Sequence, residues 1–274
     1  KNWLALDYAV IEKCVYIVAI TPEKFSNFIL EITPRIHLAI DTCVNALATG
    51  HAPEPNDLEL LGQFLLPASL REYLHPETML LISPAGPLHP LPWAAFYFPE
   101  QSRYLAPLCT PLLLPSLNSA FLLLQRQSKT PVSLPTTGIL CGISQFKGAH
   151  SDLPLVEEEI KALAPHFGQE NCLFNETATW ANVQSSLKPG SGHPPVAALH
   201  IASHFLADSV NGKLGGLVLW DQTIYQDQLL ELAPLPALVT LSGCSSLYSH
   251  VTNGDEQSGL VITCLRGGAQ SVIG

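Results

Sequence analysis

Two stretches of this chain end in residues that could do covalent chemistry together. The run ALVTLSGCSS, Ala237 to Ser246, reads as a buried strand that finishes in Gly243, Cys244 and a pair of serines. Bulky neighbours would bury the sulfur, whereas these leave it room to meet a reactant. The run AALHIASHF, Ala197 to Phe205, delivers His204 just past another strand. A free thiol has a pKa of about 8.5, so only a few per cent is the nucleophilic thiolate at neutral pH. An imidazole within reach takes that proton, holds the ion pair and later protonates a leaving amine. The oxyanion that forms on attack needs backbone N–H groups at close range, which Gly243 and the Cys244 amide can bring.

Each residue also has a plainer reading. A lone cysteine at a strand end is more often a small hydrophobe, and a lone histidine there a hydrogen-bonded loop residue. Their joint placement carries the catalytic reading, and it requires the two strands to be neighbours. The stretch between them holds a short strand-like excursion and one helix, as a right-handed crossover between adjacent parallel strands would. His200 with His204 raises a zinc site, but the sequence between them is strand-like and lacks the glutamate of a helical HExxH. Cys141 and Cys264 read as core residues. VEEEI, Val156 to Ile160, reads as the solvated face of a helix at its first turn. NGDEQSG is a turn that sets Asp255 and Glu256 in the loop after Cys244.

The elements that must hold these residues follow from periodicity. LALDYAVIEKCVYIVAIT gives two strands around Glu12-Lys13, a hairpin. From Pro22 to Leu47 apolar residues recur at helical spacing, with Pro34 as a break, and a second helical run extends from Leu58 to Leu74. A buried strand at Met79 to Ile82 follows, then a helix capped by Ser116 and running to about Gln125. SKTPVSLPTT is the best boundary and divides the chain into residues 1–128 and 129–274. Beyond it strands and helices alternate: TTGILCGIS, LPLVEEEIKALAPHF, NCLFNET, TWANVQSSL, VAALHIASH, GGLVLW, YQDQLLELA, ALVTLSG, a helix from about Gln257 to Arg266, and AQSVIG. That alternation predicts a mainly parallel sheet with helices on both faces. The last strand has no helix after it, so the sequence is expected to be a piece of a longer protein, truncated at its C-terminal end.

Composition narrows the function classes. The 274 residues carry a net charge of −10 with no basic stripe, which argues against nucleic-acid binding. Seven cysteines without CxxC pairs make neither a disulfide framework nor a zinc ribbon and read as reduced thiols of a cytoplasmic protein. No membrane span is expected, since the most apolar window, Pro111 to Leu124, is too short. Asn175 fits the glycosylation sequon, but no secretory signal accompanies it. With 13% charged residues, part of the surface is expected to be covered by a partner or by further chain.

Taken together, LLISPAGPLHPLPWAAF, RYLAPLCTPLLLPSLNSAF, LPLVEEEIKAL, LHIASHF, VTLSGCSS and GDEQSGLVITCLRGGAQSVI resemble, in order, the blocks of the CHAT domain. This is a caspase-like peptidase module related to separase and often found behind tetratricopeptide repeats. The opening hairpin is similar to the family's as well. The resemblance implies a caspase-like α/β/α sandwich with a mainly parallel sheet, preceded by an N-terminal α+β subdomain. It implies a cysteine endopeptidase that cleaves a protein or peptide through a thioester acyl-enzyme, without cofactor or metal. His204 would be the general base, Cys244 the nucleophile, and the backbone amides of Phe205 and Cys244 the oxyanion hole. The family usually has Gly where Phe205 stands, and its LSAC with a following acid becomes LSGC with Ser245. Ser242 occupies a position that lines the P1 pocket of related enzymes, and Asp255 is a candidate partner for a basic P1 side chain, with an apolar P1 as the alternative. Flanking tetratricopeptide-type or other regulatory domains and a bacterial cytoplasm are also implied. The alternative function is a catalytically silent CHAT scaffold for protein–protein interaction, and a metal hydrolase using His200 and His204 ranks below both.

Overall fold

The structure, a computed structural model, describes residues 2–129, 137–188, 196–206, 215–243, 249–251 and 257–274. The chain forms two compact units, Lys1–Arg126 and Gln127–Gly274.

In the first unit strands β1 (Trp3–Ile11), β2 (Cys14–Ile20) and β3 (Phe25–Glu31) precede helices α1 (Pro34–Ala48) and α2 (Pro55–Leu65). Strands β4 (Met79–Ser83) and β5 (Thr110–Leu113) complete a sheet of order β3-β2-β1-β4-β5, and helix α3 (Leu117–Lys129) follows. Three elements differ from the periodicity. Phe25 to Glu31 is a strand, antiparallel to β2, and not the start of a helix. Its apolar residues satisfy both periods, and the sheet decides: Phe28 and Leu30 pack on the core, while Phe25 and Ile29 of the supposed helical stripe are exposed. The helix begins only at Pro34, where Thr33 Oγ1 accepts a hydrogen bond from Ile36 N–H. The run from Leu58 breaks at Leu66, because the residue before Pro67 is pushed out of the helical region. Thr110–Leu113, hidden in sequence by Pro111, is an edge strand, where a sheet tolerates proline. Ser116 caps α3 as expected, its Oγ accepting from Ser119 N–H.

The second unit carries the candidate site. Its elements are β6 (Thr137–Gly142), α4 (Pro154–Phe167), β7 (Cys172–Phe174), α5 (Trp180–Leu187), β8 (Val196–Ala202), β9 (Phe205–Leu206), β10 (Gly216–Val218), β11 (Thr223–Tyr225), α6 (Gln226–Leu230), β12 (Leu238–Ser242), α7 (Leu260–Arg266) and β13 (Ser271–Ile273). Strands β13-β12-β8-β6-β7 form one sheet in which every pairing is parallel. Strands β9, β10 and β11 make a small antiparallel sheet of their own. The helix expected from Gln257 begins at Leu260, because Gln257–Gly259 pairs antiparallel with Ser249–Val251.

Both faces of the parallel sheet are covered, which is why its strands are apolar throughout rather than alternating. Val156 and Ile160 of α4 pack on Leu140 and Ala202 on one face. Gly142 permits that approach, since a Cβ there would meet Ile160 Cγ1 at 2.5 Å. On the other face Ile139, Cys141, Leu199, Ile201, Val239 and Leu241 share a core with Val183, Leu229, Leu260 and Cys264 from the remaining helices. The fold is the mixed α/β architecture with a parallel sheet that the alternation predicts.

Candidate active site

The two strands that must be neighbours are neighbours. β8 and β12 pair in parallel, with Ala202 opposite Ser242, and Ser203 N–H extends the contact to Ser242 O at 3.2 Å. His204 stands two residues past Ala202, and Cys244 follows Ser242 by the same number in the sequence. Cys244, Ser245 and Asp255 lie outside the described residues.

The half-buried His204 ring is held by the loop that leaves β6. Its Nε2 lies 2.7 Å from Ser151 O. A carbonyl only accepts, so Nε2 carries the proton and Nδ1 is left as the basic nitrogen of the neutral ring. The Phe146 ring packs against it with centroids 4.6 Å apart, and the His150 ring lies at 5.4 Å.

That loop is braced from three sides. Asn175 Oδ1 accepts from Ser144 N–H at 2.8 Å and from Gln145 N–H at 3.3 Å, while its amide donates to Ser144 Oγ. Asp152 Oδ1 accepts from Phe146 N–H, and Leu153 N–H donates to Ser144 O. Asn175 adopts a positive φ of 46°, a conformation that Asn tolerates better than most residues. The sequence suggests only a sequon at Asn175; the structure gives its side chain a bracing role.

Phe205 takes the place of the usual glycine without backbone strain, because it lies in strand β9, where any residue is accommodated. Its ring is 6% exposed and belongs to the core. In an antiparallel ladder hydrogen-bonded pairs alternate with pairs whose N–H groups turn outward. Val218 N–H donates to His204 O, so the next pair, Phe205 with Leu217, is an outward one. The Phe205 amide therefore faces away from β10. Beside it, Gly243 has no room for a side chain: a Cβ would fall 2.2 Å from Ser203 O and 2.5 Å from the Phe205 ring.

Ser242 and His200 turn to the opposite side, toward α4. Ser242 Oγ donates to Glu159 Oε2 at 3.1 Å. The other carboxylate oxygen is 3.2 Å from His200 Nε2, within ion-pair range but off the hydrogen-bond line, and His200 Nδ1 meets Thr240 Oγ1 at 2.6 Å. Of the VEEEI glutamates only part is a solvated face. Glu157 pairs with exposed Lys161, whereas Glu159, three residues from buried Val156, turns inward. His200 and His204 are thus committed to separate partners, and among the described residues no group of three His, Cys, Asp or Glu gathers that could hold a metal.

Burial lowers the His200 pKa, and Glu159 offsets this only in part. A histidine that titrates lower when folded binds fewer protons than the unfolded chain in the window below about 6.5. Its contribution to stability is therefore complete above that pH and is lost on acidification. Thermal denaturation of the wild type beside His200→Gln is expected to give a steeper fall of Tm below about pH 6.5 in the wild type; parallel curves would contradict it.

Among the described cysteines, Cys109, Cys141 and Cys264 are buried, and burial pushes each thiol up to about 12. Cys43 is held near 11 by burial and by Asp57. None of these four supplies thiolate at neutral pH. Sequence reasoning missed Ser151, Phe146, His150, Asn175 and Glu159. The helical spacing of Glu159 from Val156 could have flagged it; a backbone carbonyl such as that of Ser151 leaves no mark in a sequence.

A parallel α/β sheet with His204 past one strand and a small antiparallel sheet directly after it has the caspase-like arrangement. The sequence model of the CHAT domain matches residues 56–274, and the chain belongs to the CHAT family, which is related to caspase-like peptidases. The match begins after the opening hairpin. No curated protein matches the chain. Among the described residues no helix is long and apolar enough to cross a membrane.

Proposed function

We propose that the chain is a cysteine endopeptidase module in which His204 and Cys244 form the catalytic dyad. The observation that carries this reading is the Ser151 carbonyl on His204 Nε2, which leaves Nδ1 free as a base at the end of a strand paired with the one that leads to Cys244. Cys244 Sγ attacks the scissile carbonyl carbon as its proton passes to His204. The oxyanion is held by the amides of Phe205 and Cys244. Collapse breaks the C–N bond, His204 gives its proton to the departing amine, and a thioester remains on Cys244. Water, deprotonated by His204, then hydrolyses it and frees the thiol.

Asp255 is assigned to the P1 pocket, whereas Ser242, whose hydroxyl donates to Glu159 on the α4 side of the sheet, is withdrawn from it. Flanking tetratricopeptide-type or other regulatory domains would govern access, and the free thiols suit a reducing cytoplasm. The scaffold reading rests on Phe205. It is weakened by a ring that turns into the core and an amide that faces away from β10.

Alkylation rates of Cys244 separate the two readings. In the peptidase an ion pair with His204 is expected to make Cys244 react about tenfold faster than an ordinary thiol at neutral pH, and His204→Ala is expected to remove the difference. The four buried cysteines should label only on unfolding. A Cys244 that reacts as slowly as an ordinary exposed thiol, with or without His204, supports the scaffold.

A further inference from the structure

Phe146 and His150, the two rings against His204, also line a groove of about 190 Å³ between the loop after β6 and the turn joining β10 to β11. Trp220 forms part of its wall, with the Lys147 ammonium 4.2 Å above the indole ring. The acid in the lining, Asp221, already accepts a hydrogen bond from Trp180 N–H. Lys147 is the one cation of this lining and Asp221 its one anion, so a carboxylate entering the groove would be met by Lys147 at the aromatic wall.

We propose that this groove receives an acidic side chain from the segment of a protein substrate that follows the scissile bond. The inference rests on the peptidase reading, and the sheet order supplies the direction. β8, with His204 at its end, lies between β12, which leads to Cys244, and β6, whose loop forms the groove. An acyl group on Cys244 and an amine leaving past His204 send the departing segment across the imidazole toward β6. The groove begins one ring beyond His204 on that side. Its aromatic wall accepts the aliphatic part of a Glu or Asp, and Lys147 meets the carboxylate.

The test uses the intact protein and peptides that are identical up to the scissile bond and carry Glu, Gln or Lys in turn at the first three positions after it. Lys147 is exposed, so the charge pair is worth a preference of roughly 3- to 5-fold for Glu over Lys at one of these positions, narrowing in high salt. Lys147→Glu is expected to reverse the ratio. Cleavage that is indifferent to these positions, or a preference unchanged in Lys147→Glu, overturns the groove assignment and leaves the peptidase standing. If no peptide is cleaved, the peptidase reading falls and the groove assignment falls with it.

Discussion

His204→Ala is expected to lower kcat/KM for a cleavable peptide by roughly 10²–10⁴-fold, the range general acid–base catalysis supplies. The loss should fall mainly on kcat, since the imidazole acts on a proton in flight rather than on the resting substrate. Fold and thermal stability should change little. The ring is half-buried and polar, and its hydrogen bond to Ser151 O ends on a loop that Asn175 and Asp152 hold independently. Rates and melting curves measured on the same preparation check this. An unfolded variant, or a folded one with near wild-type kcat, would contradict the role.

Gly243→Ala is the second large effect. The methyl group must displace Ser203 O, a backbone atom of the residue whose N–H is bonded to Ser242 O, or drive the chain away from β8. Overpacking of this kind costs about 1–3 kcal/mol. The functional loss should be greater, because Gly243 immediately precedes Cys244 and a shift of about 1 Å at a nucleophile can cost on the order of 10²-fold. Phe205→Ala in the same chain should not restore activity: it removes the ring at 2.5 Å but not the carbonyl at 2.2 Å. Recovery in the double variant would mean that the ring alone sets the clash.

Much of the second unit is legible because buried parallel strands and amphipathic helices write different patterns. β6, α4, β7, α5, β8, α6, β12 and β13 all lie within the stretches that periodicity assigns them. The first unit is less so. Phe25, Phe28 and Ile29 fit both a helix and an edge strand, and only pairing with β2 decides between them. Pro111 hides β5 for the same reason that it can live there, at a sheet edge. At the site, His204 is visible from its place past a strand, while what fixes its tautomer is a carbonyl, and what fixes that carbonyl is Asn175, distant in sequence. A histidine announces chemistry by its side chain; a backbone acceptor and a bracing amide do not.

The most direct test is digestion of a proteome-derived peptide mixture by the intact protein, run beside Cys244→Ala, with new termini identified by mass spectrometry. The account expects new termini with the wild type, sharing a preference on the acyl side, and none with Cys244→Ala. Equal cleavage by the two proteins, or none by the wild type with its natural partners present, would contradict a Cys244 peptidase.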